Sequence, residues 1–344
     1  MIEGKNILVT GGTGSFGKAF IKELINKPAR ERPSRIVVFS RDELKQWDMR
    51  QEYPHKKYPE LRFFLGDVRD KDRLTLALQD IDYVVHSAAL KQVPAAEYNP
   101  MECIKTNVIG SENVIQAAMQ TNVQKVVALS TDKASSPINI YGASKLCADK
   151  LFIAANNIVG KRDLSFSVVR YGNVIGSRGS VIPLFIEKAK KGILPITSEN
   201  MTRFNISLKD GVGLVLWAFE NSIGGEIFVP KIPSYNILDV AKAIGPNCKI
   251  EEIGIRVGEK LHEDLISSSD SLFTYDLDKY YVILPNTEEK VHMKYINFFK
   301  EKGITIKKVD NNFSYTSGMN NDFLSVDELR QLIKENIDPE FKPI

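Results

Sequence analysis

Two acid–base pairs stand close together near the middle of the chain. Tyr141 and Lys145 are four residues apart, so they share one face if the segment is helical. An ammonium beside a phenol lowers a pKa that is ordinarily about 10, and we expect Tyr141 to act as a base toward a hydroxyl. Asp132 and Lys133, shortly before this pair, supply a second acid and a second base. A simple dehydrogenase needs only one pair, so the two pairs together predict an oxidation coupled to loss of water.

A glycine-rich turn lies near the N-terminus, between a short apolar run and a helix-like stretch. It reads TGGTGSFG over residues 10–17. We expect Gly11 and Gly14 to let the backbone turn tightly and approach a pyrophosphate, and Gly17 to let the helix pack on the strand. The N–H groups at the helix N-terminus would then hold the phosphates. A lone glycine pattern is weak, but the strand–turn–helix context favours a dinucleotide cradle over a purely structural turn.

The end of the second predicted strand bears on which dinucleotide binds. An acidic residue at this place typically holds the ribose 2′-hydroxyl of NAD. This chain has Ser40 and Arg41 there, and Lys45 follows one helical turn later. Such cations suit the 2′-phosphate of NADP, although the neighbouring Asp42 and Glu43 leave NAD open. The sequence therefore favours NADP.

Apolar runs alternate with amphipathic helical stretches over the first half of the chain. The predicted strands are Ile7–Thr10, Ile36–Phe39, Leu61–Leu65, Tyr83–His86, Val126–Leu129 and Phe166–Val169. The predicted helices include Phe16–Ile25, Asn107–Met119 and Gly142–Asn156. This alternation predicts an α/β fold with a doubly wound parallel sheet and, after about residue 175, a smaller C-terminal α/β region. Ligands bind beyond the carboxyl ends of such strands, which favours ligand contact over a surface role for the residues that follow them.

Composition sets outer bounds on function. The chain has 344 residues with a formal net charge of +3, and its basic residues are scattered, which argues against nucleic-acid binding. Its three cysteines form no CxxC pair, and no metal-ligand spacing is present. This cysteine usage favours the reducing cytoplasm over an oxidising compartment. No apolar stretch approaches the roughly 20 residues of a membrane helix, so we expect no membrane anchor. Because no metal-ligand spacing is present, we also expect no metal site.

The motifs together resemble a known family. The cradle TGGTGSFG is joined by FSRDELK, GDVRD, ALKQVPAAEYNP, STDKA, YGASK and RYGNVIGSRGSV, and later by GGEIFVPKIPS and GIRVGEKLHE. They resemble extended short-chain dehydrogenase/reductases, and more narrowly the inverting UDP-N-acetylglucosamine 4,6-dehydratases of the pseudaminic acid pathway. The resemblance covers nearly the whole chain and places the family's Asp-Lys pair on Asp132 and Lys133, where retaining dehydratases carry Asp-Glu.

The weaker alternation after about residue 175 predicts an NADP-binding Rossmann domain at residues 1–175 and a substrate-binding region at residues 176–344, part of which we expect to pack back on the sheet. The implied cofactor contacts are Gly11, Thr13, Gly14, Ser15, Phe16, Gly17, Ser40, Arg41, Asp42, Lys45, Asp67, Val68, Ser87, Ala88, Ala89, Lys91, Asn107, Leu129, Ser130, Tyr141, Lys145 and Val174. The implied substrate contacts are Lys91, Thr131, Asn173, Arg178, Gly179, Ser180, Val181, Thr197, Arg256 and Asn320. Family members are typically symmetric homo-oligomers, often hexamers.

The implied reaction converts UDP-N-acetylglucosamine to an inverted 4-keto-6-deoxy sugar for a bacterial surface or flagellar glycan. Tyr141 would take the 4-hydroxyl proton, Lys133 the C5 proton, and Asp132 would protonate the leaving 6-hydroxyl. Lys133 must then be neutral, and we expect burial and the nearby Lys145 to lower its pKa. A nucleotide-sugar 4-epimerase and a non-catalytic NADP-sensing regulator are the alternatives. The Asp132-Lys133 pair argues against the first, and the intact Tyr141 and Lys145 argue against the second.

Overall fold

Six parallel strands from the first half of the chain form the centre of a large sheet in the order β3-β2-β1-β4-β5-β6. The computed structural model describes residues 2–177, 179–285 and 289–344. The strands are β1 Asn6–Thr10, β2 Arg35–Ser40, β3 Leu61–Leu65, β4 Tyr83–His86, β5 Lys125–Thr131 and β6 Ser165–Tyr171. All six predicted strands and the doubly wound parallel arrangement are confirmed.

Helices connect these strands and cover both faces of the sheet. They are α1 Ser15–Asn26, α2 Glu43–Glu52, α3 Lys71–Ala77, α4 Val93–Tyr98, α5 Pro100–Ile104, α6 Gly110–Met119 and α7 Ile140–Ala155. Short 3₁₀ turns span Ala29–Glu31 and Asp132–Ala134. The helix predicted over Asn107–Met119 instead begins as a π-helix, Lys105–Ile109, that runs into α6.

The second half of the chain extends the sheet and builds a smaller region beside it. Its strands are β7 Asn173–Val174, β8 Ile193–Ile196, β9 Thr202–Ile206, β10 Ile227–Pro230, β11 Ser234–Asn236, β12 Lys249–Glu252, β13 Asp264–Ile266, β14 Thr274–Asp276, β15 Tyr280–Ile283, β16 Lys307–Lys308 and β17 Tyr315–Thr316. Its helices are α8 Val181–Ala189, α9 Leu208–Asn221, α10 Ile237–Ile244, α11 Glu289–Glu301 and α12 Val326–Asn336, and a 3₁₀ turn spans Asp270–Phe273. Strand β10 pairs in parallel with β6, and β15, β14 and β16 continue the sheet antiparallel.

Two hydrophobic cores hold the chain together. The larger core packs both faces of the sheet, where β1, β2 and β4 are apolar along their length because helices cover them on either side. The smaller core is built by α8, β8, α10 and α12. Since residues from both halves of the chain enter the larger core, a domain boundary at residue 175 stays a prediction. No helix in the described ranges is long and apolar enough to cross a membrane.

Candidate active site

A cavity of about 810 Å³ lies at the carboxyl ends of the parallel strands, between the sheet and the smaller core. The turn after β1 and the ends of β2, β4 and β5 form one part of its wall. Residues of β7, α8, β8 and β9 form the other part. This is the place where a doubly wound sheet binds its ligands.

The glycine turn after β1 has the geometry of a phosphate cradle. Gly11 has φ +66°, and a Cβ there would lie 3.0 Å from the backbone of Ala88. A Cβ on Gly17 would lie 2.5 Å from the α-carbon of Gly12, so the helix needs glycine to pack this closely. In the described chain no side chain caps helix α1 at Gly14, and no acidic residue stands in its first turn. The α1 N-terminus is therefore left to bind an anion, and these residues fit a dinucleotide pyrophosphate.

The cations predicted to select NADP lie at the cavity wall with acidic partners. Arg41 lies 3.5 Å from Asp67, and its side chain is half exposed. Lys45 is paired with Asp42, which also accepts a hydrogen bond of 2.9 Å from the Lys45 backbone N–H and so caps α2. A 2′-phosphate bound here would contact Arg41 and Lys45, each of which now pairs with a carboxylate.

The second acid–base pair lies on the 3₁₀ turn directly after β5. Asp132 is fully buried, and the Lys133 ammonium lies 3.0 Å from its Oδ1. The same ammonium lies 3.1 Å from Oε1 of Glu263, which is 2% exposed. Thr131 donates a hydrogen bond of 3.0 Å to Asp132. The pair is therefore part of a buried charge cluster that reaches the C-terminal region.

The protonation state of Lys133 differs from the expectation. Burial lowers the pKa of Lys133, but the carboxylates of Asp132 and Glu263 raise it more, so that the pKa lies above its ordinary value. The prediction of a lowered pKa was wrong because it included burial and Lys145 but not the two carboxylates. In this arrangement Lys133 is an ammonium ion.

Tyr141 also differs from the expectation. Burial raises its pKa to about 12, against the lowering effects of the Lys133 ammonium and of a hydrogen bond with Thr131. The prediction that Lys145 lowers the Tyr141 pKa was wrong, since the nearby cation is Lys133. Burial also lowers the pKa of Lys145, an effect that the nearby Asp149 opposes.

Helix α7 is fixed to the 3₁₀ turn at its N-terminus. The Asn139 side chain caps the helix by accepting 2.7 Å from the Gly142 N–H, and it donates 2.7 Å to the carbonyl of Gly258. A Cβ on Gly142 would lie 2.1 Å from the carbonyl oxygen of Lys133. The close contact sets the position of Tyr141 relative to Asp132 and Lys133.

The family of the chain follows from a sequence match. Residues 7–285 match the family described as "Polysaccharide biosynthesis protein". The chain belongs to this family.

The relatives of this chain include enzymes named for two different reactions, a dehydration and an epimerisation. A UDP-N-acetylglucosamine 4,6-dehydratase (inverting) of Campylobacter jejuni is 53% identical over 337 residues, covering 97% of this chain and 98% of the relative. A UDP-glucose 4-epimerase of Rickettsia canadensis is 44% identical over 338 residues, covering 97% of this chain and 96% of the relative. The X-ray structure of Pen from Bacillus thuringiensis has a TM-score of 0.85 at 35% identity, covering 97% of this chain and 99% of that chain. The resemblance to the inverting dehydratases is confirmed.

Most of the predicted site residues of this family member lie on the cavity wall. The cofactor set there is Gly11, Thr13, Gly14, Ser15, Phe16, Gly17, Ser40, Arg41, Asp42, Lys45, Asp67, Val68, Ser87, Ala88, Ala89, Lys91, Leu129, Ser130, Tyr141, Lys145 and Val174. The substrate set there is Lys91, Thr131, Asn173, Gly179, Ser180, Val181, Thr197 and Arg256, and Lys133 joins them.

Three predicted residues are placed differently, and a fourth is not described. Asp132 is buried behind Lys133, and Asn107 uses its amide to hold the backbone of Leu90 at 2.8 Å. Asn320 donates 2.9 Å to the carbonyl of Ile232, which takes its side chain away from the wall. Arg178 lies outside the described residues.

Two charged residues of the site were missed by the sequence reasoning. Glu263 and Arg203 both line the cavity, and Arg203 lies 3.9 Å from Glu263. Glu263 ends the motif GIRVGEKLHE, which was noticed only as part of the resemblance. No spacing could have joined either residue to Lys133, because they come from distant parts of the chain.

Proposed function

We propose that this chain is an inverting UDP-N-acetylglucosamine 4,6-dehydratase that uses NADP as a retained cofactor. Its product would be UDP-2-acetamido-2,6-dideoxy-β-L-arabino-hex-4-ulose. The observation that carries the proposal is the contact of Asp132 with Lys133 at 3.0 Å, where Lys133 lines the same cavity as Tyr141 and Lys145. The name of the 53% identical relative supports the same reaction.

The cofactor would lie along the glycine cradle. Gly11 and Gly17 allow the close backbone packing that shapes this turn, and the α1 N-terminus supplies N–H groups for the pyrophosphate. Arg41 and Lys45 would hold the 2′-phosphate, which is the reason to propose NADP rather than NAD. The dinucleotide held there would supply the hydride chemistry of the reaction, which is removal of hydride from C4 of the sugar and its return at C6.

The residues of the chain would move the protons. Tyr141 would take the proton of the 4-hydroxyl as a phenolate, a charge that the neighbouring Lys133 ammonium favours. The ketone at C4 then acidifies the hydrogen on C5. Lys133 takes the C5 proton, the C6–O bond breaks, and Asp132 gives its proton to the leaving oxygen so that water departs. A proton from solvent, added to C5 from the opposite face as hydride returns to C6, gives the inverted configuration.

The nucleotide sugar would be held by the part of the wall outside the cradle. Arg256 lies on this part of the wall and suits the diphosphate of UDP, since a guanidinium matches phosphate oxygens. Lys91 also lines the wall, and burial lowers its pKa. Thr131 and Asn173 lie near Lys133, where the reacting carbons of the sugar would be.

The names of the Rickettsia relatives make a 4-epimerase the second candidate. Such an enzyme would oxidise C4 with Tyr141 but would have no use for Asp132 and Lys133 as an elimination acid and base.

The deciding experiment is proton NMR of the purified chain with UDP-N-acetylglucosamine in heavy water, without added cofactor. A new C6 methyl signal with deuterium at C5 and an L-configured ring is expected. Inversion at C4 alone would replace the dehydratase with the epimerase.

A methyl signal with the D-configuration kept would retain the dehydration and remove the inversion at C5. No reaction with this sugar, while NADP still binds, would contradict the substrate or point to the sensing regulator.

A further inference from the structure

Glu263 completes a buried group of three ionisable side chains around Lys133. The Lys133 ammonium lies 3.0 Å from Asp132 Oδ1 and 3.1 Å from Glu263 Oε1. Asp132 is 0% and Glu263 is 2% exposed. Among the described residues, Asp132 Oδ2 and Glu263 Oε2 have no hydrogen-bond partner. Each carboxyl group therefore has one oxygen engaged with Lys133 or its surroundings and a second oxygen free to carry a proton.

The backbone of Glu263 is held in place from behind. Its N–H donates 2.9 Å to Oγ of Ser317, and the Ser317 N–H donates 2.8 Å to the Glu263 carbonyl. Ser317 Oγ in turn lies 2.8 Å from the hydroxyl of Thr202, which contacts His262 at 2.8 Å. This fixed setting keeps the Glu263 carboxyl group within proton-transfer distance of Lys133.

The proposed reaction makes a demand that Lys133 alone cannot meet. An ammonium ion has no lone pair and cannot take a proton from C5. Its pKa is raised by the two carboxylates, so release of the proton to solvent near neutral pH is unfavourable. Once Asp132 carries the proton that the leaving 6-hydroxyl needs, it can accept no second proton, and Glu263 is the carboxylate that remains in contact with Lys133, at 3.1 Å.

We propose that Glu263 takes the ammonium proton of Lys133 and thereby makes Lys133 the base for C5; this inference rests on the proposed dehydratase function. The proton moves from Lys133 Nζ to a Glu263 carboxylate oxygen, and the N–H bond that breaks is replaced by an O–H bond. The neutral amine then takes the C5 proton and becomes an ammonium again. Glu263 acts on the sugar only through Lys133: it is a positioning residue that holds the proton Lys133 gives up.

The surroundings of Glu263 are consistent with proton uptake. Burial raises its pKa, as does Asp132, and Lys133 and Arg203 oppose them, with a net increase above the ordinary value. Tyr235 also faces this cluster, where the charges of Arg203, Lys133 and Asp132 act on it. Tyr141 faces Lys133 from α7. Next to Glu263 in the chain, Lys260 and Asp264 pair with each other at 3.0 Å.

The test compares Glu263→Gln with the wild-type chain. Glutamine keeps the size of the side chain but cannot take the proton, so Lys133 must release it to solvent. We expect kcat to fall about 100-fold near neutral pH, the scale of one general acid–base step. We expect kcat of the variant to rise about tenfold per pH unit toward alkaline pH, while the wild-type profile is flatter there. The first C4 oxidation, followed by the absorbance of reduced nicotinamide, should be retained.

Two further variants separate proton uptake from a structural effect. Glu263→Asp keeps the carboxylate and should recover part of kcat and the flatter profile. Glu251→Gln removes the same charge from an exposed position on β12 and should match the wild-type chain. Thermal melting checks that each variant is folded.

The inference is overturned if Glu263→Gln keeps the wild-type kcat and pH profile. It is also overturned if the variant loses C4 oxidation together with elimination, because that loss indicates a disturbed site. Failure of the wild-type chain to dehydrate the sugar overturns the proposed function and this inference with it. Failure confined to the variant comparison overturns the inference alone.

Discussion

A Cβ atom on Gly142 would lie 2.1 Å from the carbonyl oxygen of Lys133. The contact joins the first turn of α7, which carries Tyr141, to the 3₁₀ turn that carries Asp132 and Lys133. The two acid–base pairs therefore have a relative position set by backbone contact rather than by side-chain packing alone. Only glycine permits this approach, because any Cβ would overlap the carbonyl.

Gly142→Ala should separate the two pairs. The added methyl group must push the 3₁₀ turn away from α7, and such overpacking typically costs about 1–3 kcal/mol of unfolding free energy. Dehydratase activity should fall by more than the loss of folded protein explains, because Tyr141 moves relative to Lys133. Urea denaturation and single-turnover kinetics measure the two effects.

Gly213→Ala is the matched control for this substitution. Gly213 lies on the exposed side of α9, and among the described residues nothing lies within 4 Å of a Cβ built there. Alanine should stabilise that helix by about 0.5–1 kcal/mol and leave the activity unchanged. A fully active and stable Gly142→Ala variant would show that the contact with Lys133 relaxes without consequence.

Lys133→Arg should remove elimination and keep C4 oxidation. Arginine retains the positive charge between Asp132 and Glu263, but its pKa is too high for it to act as a base. The C6 methyl product should form about 10²- to 10⁴-fold more slowly, while reduced nicotinamide still appears in the first turnover. Rapid-mixing absorbance together with NMR of the product tests both parts.

Arginine is a better substitution here than alanine. Lys133→Ala would leave two buried carboxylates without their cation, and removing one partner of a buried pair typically costs about 3–5 kcal/mol of stability. Product formation by Lys133→Arg at near the wild-type rate would exclude Lys133 as the base at C5.

The sequence predicted the parts of the structure that depend on local pattern. Strands β1, β2, β4, β5 and β6 carry apolar runs that are buried on both faces, and this signal is strong, whereas the edge strand β3 is partly exposed. The glycine cradle and the start of α7 follow from local turn and cap chemistry. Strands such as β7 and β16 have two residues each, which is too short for any periodicity.

The charge state of the site could not be predicted in the same way. The Lys133 pKa depends on Glu263, and a residue so distant in the chain is joined to Lys133 only by the tertiary fold. Burial of Lys133 was anticipated, and on its own it lowers the pKa. The carboxylates of Asp132 and Glu263 raise the Lys133 pKa by more than burial lowers it. The wrong prediction therefore came from the missing charged partners of Lys133.

Glu226 should make the stability of the chain depend on pH. It is fully buried, and its carboxyl group accepts 2.7 Å from the Ile223 N–H and 2.8 Å from the Gly224 N–H. Burial raises its pKa to about 7, although these hydrogen bonds and Lys125 lower it. Because the folded-state pKa lies above the unfolded value of 4.5, the contribution is complete below about pH 4.5 and is lost as pH rises through about 7.

Glu226→Gln removes this titration and is the variant to compare. Urea denaturation at pH 5 and pH 8 should show the wild-type chain losing at most about 3 kcal/mol more than the variant. Equal losses in the two proteins would show that Glu226 is ionised throughout this range.

Arg41→Ala should weaken NADP binding more than NAD binding. The Arg41 guanidinium lies at the cavity wall 3.5 Å from Asp67, where it would contact the 2′-phosphate that NAD lacks. A charge-assisted hydrogen bond contributes about 1.5–3 kcal/mol, which corresponds to roughly 10- to 100-fold in Kd. Fluorescence titration of cofactor-free protein with each dinucleotide measures the change.

Arg69→Ala is the control for the loss of a cation near Asp67. Arg69 lies 2.8 Å from Asp67 and 2.7 Å from Glu102, and its side chain is directed along the surface rather than lining the cavity. Its removal should change the affinities for both dinucleotides by the same small factor. If Arg41→Ala weakened the binding of NADP and of NAD equally, Arg41 would act through Asp67 on the portion common to both dinucleotides and not on the 2′-phosphate. The preference for NADP would then have to come from Lys45 or be given up in favour of NAD.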